Sequence, residues 1–125
     1  MGLIHERLTE QIIGAAIEVH RHLGPGLLES AYRACLVHEL GSLGLATATE
    51  VPLPLEYKGL PLQVCYRLDV VVEDAVILEL KTVERFKPVH ESQLLSYLRL
   101  SGKRVGLLIN FHVPTLKDGL KRLVL

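Results

Sequence analysis

Three charged side chains stand where their neighbours are apolar. Glu79 and Lys81 lie in Ala75-Val76-Ile77-Leu78-Glu79-Leu80-Lys81, a run that otherwise reads as a central strand covered on both faces. Asp69 interrupts Leu68-Asp69-Val70-Val71-Val72 in the same way. An unpaired carboxylate is costly to bury, so such residues need a reason. Side chains two apart on a strand share a face, which puts Glu79 and Lys81 together. By itself a Glu-x-Lys tripeptide reads as a surface salt bridge. The acid on the neighbouring strand is what points to chemistry.

Whether Asp69 joins the pair depends on the turn between the two strands. If Glu73-Asp74 is a two-residue turn, Asp69 pairs with Leu78 and Glu79 faces the other way. If the loop spans three residues, 73–75, Asp69 lies opposite Glu79, and two carboxylates and an amine converge on one face. A joint site therefore requires an odd-length loop or a bulge, and that is the expectation.

Two carboxylates a few ångströms apart repel, and protons are harder to remove unless a cation sits between them. Oxygen-only donors suit a hard cation, Mg²⁺ or Mn²⁺, which keeps several waters and accepts phosphate oxygens. A lysine beside it can orient or deprotonate the attacking water and support charge on a phosphate. Together these are the parts of phosphodiester hydrolysis. Glu29 is a further acid, in the first turn of a helix after Gly24-Pro25-Gly26; it either complements the helix dipole or supplies a third ligand. Gln93 and Tyr97 share a helix face at i, i+4, as a polar rim or as neighbours of the substrate and the lysine. His20, His22 and His90 lack the spacing of a metal-ligand set, and Cys35 lies on an apolar helix face as a core residue would. Dinucleotide, P-loop and nucleophile-elbow motifs are absent.

The elements that must position these residues follow from periodicity. Leu8, Ile12, Ile13, Ala16, Ile17 and Leu23 recur at helical spacing and predict a helix over about 6–22, stopped by Gly24-Pro25-Gly26. A second helix is expected over 28–43, ended by Gly41 and Gly44. Val51, Leu53 and Leu55 alternate, and Pro52 and Pro54 predict an edge strand. After a turn at Lys58-Gly59, residues 61–72 and 75–83 read as two strands. Pro88 precedes a helix over 89–101, closed by Gly102; Val105–Ile109 is a short buried strand, and Leu120–Leu125 reads as another strand or as a last helical turn. The order α-α-β-β-β-α-β-β implies a mixed sheet with helices packed on it, in the α/β or α+β class.

Composition narrows the field. With 125 residues, 49% apolar and 22% charged, the chain is expected to form one domain over 1–125 with its own core, not a disordered segment. No stretch approaches the ~20 apolar residues of a membrane span. Early acid and polar residues in Met1–Glu10 argue against a secretory leader, and two cysteines without CxxC spacing, Cys35 and Cys65, argue against a zinc site or disulfide framework. A cytoplasmic location is the expectation. The net charge of zero divides unevenly, with residues 1–80 at −6 and residues 81–125 at +6. That is either chance or an acidic, cation-holding site beside a basic, anion-holding surface. Arg85, Lys87, Arg99, Lys103 and Arg104 are the candidates for holding a nucleic-acid backbone.

The segment Gly26-Leu27-Leu28-Glu29-Ser30-Ala31-Tyr32 resembles the signature of the GxxExxY protein family, which is placed in the PD-(D/E)xK nuclease superfamily. The resemblance extends over nearly the whole chain: Leu23-Gly24-Pro25-Gly26, Tyr66-Arg67-Leu68-Asp69, Leu78-Glu79-Leu80-Lys81, Gln93-Leu94-Leu95-Ser96-Tyr97 and Leu108-Ile109-Asn110-Phe111. It implies a restriction-endonuclease-like αβββαβ core, here with an extra N-terminal helix. It also implies Mg²⁺ (or Mn²⁺) held by Asp69, Glu79 and the carbonyl of Leu80, with Lys81 as the catalytic lysine. By the same resemblance Glu29, Gln93 and Tyr97 join the site. Leu68 stands where the motif has a proline, a residue that is not a ligand.

Three readings of function follow. The first is a Mg²⁺-dependent nuclease cleaving DNA, with RNA second, by a metal-activated water. The second is a non-catalytic nucleic-acid- or protein-binding module on a nuclease fold. The third is a small phosphate-ester hydrolase using the same metal. A chain this short lacks room for a target-selecting domain, so a homodimer or a protein partner is an expected source of target choice.

Overall fold

The computed structural model describes residues 2–125; Met1, the first residue of the expected domain, lies outside the described residues. Its elements are α1 (Glu6–Leu23), α2 (Glu29–Ser42), β1 (Thr47–Tyr57), β2 (Leu60–Val72), β3 (Val76–Lys81), α3 (Pro88–Ser101), β4 (Val105–Asn110), the short 3₁₀ helix η1 (Leu116–Gly119) and β5 (Leu120–Val124). The mixed α/β expectation therefore holds. The strands form a five-stranded sheet in sequence order, β1-β2-β3-β4-β5. All neighbours are antiparallel except β3 and β4, which run parallel across the α3 connection. A parallel pair needs such a crossover, because a tight hairpin can only reverse the chain.

Helices cover both faces of the sheet. On one face Ile12, Ala16 and Val19 of α1 and Tyr32, Leu36 and Leu40 of α2 pack on Val70, Val72, Leu78, Leu80 and Ile109. On the other, Leu94, Tyr97 and Leu98 of α3 pack on Leu68, Val71, Ile77 and Leu108. This explains the near-continuous apolar runs of β3 and β4: alternate residues enter opposite cores, so neither face faces water. Gly106 lets α3 approach closely, since a Cβ there would lie 2.8 Å from Leu94 Cδ1.

Several boundaries differ from the periodicity. Leu28 is extended (φ −72°, ψ 150°), so α2 begins at Glu29 and not at 28. The strand expected over 75–83 is shorter at both ends: Ala75 belongs to the turn, and beyond Lys81 the chain leaves the sheet. Asn110 holds that departure. Its buried amide accepts Val83 N–H at 3.1 Å and donates to Val83 O at 2.6 Å. The edge strand carrying Pro52 and Pro54 lies at a sheet edge, where a missing N–H costs no ladder bond. Residues 116–119 form the unpredicted 3₁₀ turn, in which Gly119 touches the Asn110 carbonyl so closely that a Cβ would sit 2.3 Å from it. No helix among the described residues is long and apolar enough to cross a membrane.

Candidate functional site

The β2–β3 hairpin turns through three residues, Glu73-Asp74-Ala75, with Val72 paired to Val76. Glu73 and Asp74 both take φ of 52°, a left-handed conformation that needs outside support. That support is present. Glu73 N–H donates to Ala46 O at 2.8 Å, and its carboxylate accepts Ala46 N–H at 2.9 Å. Lys103 Nζ donates to the Asp74 carboxylate at 2.9 Å. The odd-length loop on which the joint site depended is therefore built into the turn. The regular register ends at Val70 opposite Leu78, so the next positions, Asp69 and Glu79, oppose each other.

At that point side chains replace the backbone ladder. Asp69 N–H donates to Glu79 Oε1 at 3.4 Å, and Leu80 N–H donates to Asp69 Oδ2 at 3.0 Å. Each acid thus takes an N–H from the opposite strand where the two strands separate. Lys81 O accepts Phe111 N–H from the end of β4 at 2.9 Å. Carbonyls alternate in direction along a strand, so that of Leu80 points the other way, into the gap beside Asp69.

Glu79 is 7% exposed. Burial pushes its pKa from 4.5 up to about 7, and the neighbouring Asp69 charge pushes the same way. The Asp69 N–H bond and the charge of Lys81 oppose the rise only in part, and Glu29 adds a small further push upward. Lys81 is half-buried and shares the strand face of Glu79. Among the described residues it forms no ion pair within 4.0 Å.

Glu29 opens α2, half-buried, near enough for its charge to act on Glu79. Its position is set by Tyr32, one turn later. Tyr32 is fully buried and stacks on Phe111, with centroids 4.4 Å apart and planes 8° apart. Its hydroxyl donates to Gly24 O at 2.5 Å and accepts Leu27 N–H at 3.1 Å, fastening the loop that leads into the helix. Tyr32 thereby ties the Gly24–Leu27 loop to the first turn of the helix that Glu29 opens.

Tyr97 faces the carboxylates from α3. Its pKa is raised first by burial, then by the charges of Glu79, Tyr66 and Asp69. Gln93 lies one turn earlier, half-buried, and lines a cavity of about 320 Å³ with Tyr97, Tyr66, Leu55, Ser96 and Leu100. The Tyr66 and Tyr97 rings are 6.0 Å apart. His20 and His90 are occupied elsewhere: His20 Nε2 bonds Val113 O at 2.8 Å, and His90 Nδ1 accepts Lys87 N–H at 3.0 Å.

Periodicity gave no role to Arg33, yet it is the cation that touches the site. Its Nη1 lies 3.3 Å from Asp69 Oδ1 and its Nη2 lies 3.8 Å from Glu50 Oε1. The available signal was its spacing: four residues after Glu29, it shares that residue's helix face. Asn110 was likewise missed, although an amide ending an apolar strand suggests a buried polar bond.

Hard oxygen donors therefore gather at the strand separation: Asp69 Oδ1 and Oδ2, the Glu79 carboxylate and the carbonyl of Leu80. Among the described residues no three His, Cys, Asp or Glu side chains cluster tightly enough to hold a metal alone. Glu29 stands outside the two-carboxylate set, at a distance from which its charge is felt.

A family model described as the PD-(D/E)XK nuclease superfamily matches residues 6–123, and the chain belongs to that superfamily. No curated protein matches it. Among solved structures, the crystal structure of SSO0001 is similar at 19% identity and a TM-score of 0.45, over 97% of this chain and 76% of that one.

Proposed function

We propose that residues 1–125 form one nuclease-like domain of the GxxExxY type that hydrolyses phosphodiester bonds in DNA, with RNA the second candidate, in a Mg²⁺- or Mn²⁺-dependent reaction. The observation that carries this reading is the facing pair Asp69 and Glu79 at the strand separation, with Lys81 on the same face as Glu79. Asp69, Glu79 and the Leu80 carbonyl would hold the metal, with Glu29 acting from α2 through its charge or a water. The ion, when bound, would polarise the phosphate and make water a better nucleophile.

The chain's own groups do the remainder. Lys81 Nζ, with no ion pair to leave, is available to orient the attacking water and to meet charge growing on a phosphate oxygen. Tyr97, its hydroxyl kept protonated by burial and nearby acids, can donate a hydrogen bond to the substrate backbone. Gln93 would add an amide beside it. Of the basic residues expected to hold a nucleic acid, Lys103 is tied to Asp74 and Arg104 bonds Leu125 O, which leaves exposed Arg85, Lys87 and Arg99. A second copy or a protein partner would supply target choice, and the two free cysteines are compatible with a cytoplasmic setting.

The test is cleavage of single- and double-stranded oligonucleotides with Mg²⁺ or Mn²⁺. Asp69→Asn, Glu79→Gln and Lys81→Met should each lower the rate about 100-fold or more while the far-UV spectrum is kept. Variants as active as the natural protein would reject these roles. One observation favours the non-catalytic module instead: Arg33 already neutralises one Asp69 oxygen. Calorimetric titration with Mn²⁺ separates the two, because a binding module need hold no metal.

A further inference from the structure

The guanidinium of Arg33 lies 3.3 Å from Asp69, an acid proposed above to hold the divalent ion. Arg33 is mostly buried, with its side chain 25% exposed and that of Asp69 21% exposed. It takes Oδ1, while Oδ2 is held by Leu80 N–H. Its second contact, Glu50, lies in β1 between the pairs Thr49–Val70 and Val51–Leu68, directly across from Asp69. Glu50 has φ of 50° and a side chain 55% exposed, outside the two-acid gap. Arg33 thus bridges one carboxylate inside the site and one outside it.

Resting on the metal-dependent reading above, we infer that Arg33 is an internal competitor for the divalent ion at Asp69, with Glu50 as the station to which it withdraws. A guanidinium donating to Oδ1 and a metal ion bound to the same carboxylate repel each other and contend for the same lone pairs. Filling the site therefore requires the Arg33–Asp69 contact to break. The Glu50 contact keeps the freed side chain from being stranded as an unpaired, mostly buried charge. Arg33 holds the two-acid gap together without metal and raises the metal concentration at which the site fills.

The experiment uses the full chain, Mn²⁺ as the probe, calorimetric titration, and thermal unfolding with EDTA or saturating Mn²⁺. Arg33→Met is expected to bind Mn²⁺ roughly three- to tenfold more tightly, the worth of one partly exposed charge-assisted bond. It should unfold at lower temperature than the natural chain in EDTA, and the Mn²⁺-induced rise in midpoint should be larger. Glu50→Gln, at an exposed position, should weaken Mn²⁺ binding about twofold by leaving Arg33 on Asp69. In the Arg33→Met background it should have no further effect, whereas a simple field effect would add. Equal or weaker Mn²⁺ binding by Arg33→Met, or additive behaviour of the pair, overturns the inference. If neither the natural chain nor Arg33→Met binds Mn²⁺ while Asp69→Asn behaves identically, the metal-dependent reading fails and this inference falls with it.

Discussion

Glu79→Gln is the substitution in which stability and function should move in opposite directions. Glu79 is buried beside Asp69, and its folded-state pKa of about 7 lies above the 4.5 of an unperturbed glutamate. The folded chain therefore holds this proton more tightly than the unfolded one. The resulting stabilisation is complete below about pH 4.5 and is lost as pH rises toward 7. Without metal, the natural protein at pH 8 carries an ionised, poorly solvated carboxylate. The distance between 4.5 and about 7 corresponds to about 3 kcal/mol, at ~1.4 kcal/mol for each pH unit. Glutamine keeps the shape and an oxygen for the Asp69 N–H, but never ionises. In EDTA, urea unfolding should find Glu79→Gln about 2–3 kcal/mol more stable than the natural chain at pH 8, with most of that advantage gone at pH 5. With saturating Mn²⁺ at pH 8 the natural chain should gain stability and the variant much less. A variant equally stable at both pH values, or destabilised at both, would refute the claim that burial beside Asp69 makes this carboxylate costly.

Other outcomes follow from the same geometry. Mn²⁺ affinity should fall as pH drops below about 7, with close to one proton released per ion at pH 6, read from calorimetry in buffers of different ionisation enthalpy. Lys81→Met should abolish cleavage while Mn²⁺ binding persists, since Lys81 adds no oxygen donor; loss of binding would recast it as a structural residue. Tyr32→Phe leaves Gly24 O and Leu27 N–H without their partner and should cost about 1–2 kcal/mol in urea unfolding. Gly106→Ala sets a methyl 2.8 Å from Leu94 Cδ1 and should cost about 1–3 kcal/mol, partly relieved by a smaller residue at position 94.

Much of the architecture was legible because it rests on local rules. Helical spacing in residues 6–23, the glycines after both N-terminal helices, and Pro88 ahead of α3 each act within a few residues. The apolar runs of β3 and β4 announced strands with two covered faces, and the prolines of β1 announced an edge. Misplaced acids at 69 and 79 announced charges that need partners, and their meeting depended on the parity of the turn between them. What local rules could not supply was that parity. Glu73 and Asp74 hold left-handed conformations because Ala46 and Lys103, distant in sequence, bond to them. Arg33 likewise reaches Asp69 across 36 positions of chain. Its pairing depends on how α2 packs on the sheet, which Tyr32 and Phe111 decide by stacking. The sequence by itself determined which residue types were available and which segments would carry them. The tertiary structure decided which charges meet, because charge interactions act over a few ångströms of space whatever the separation along the chain.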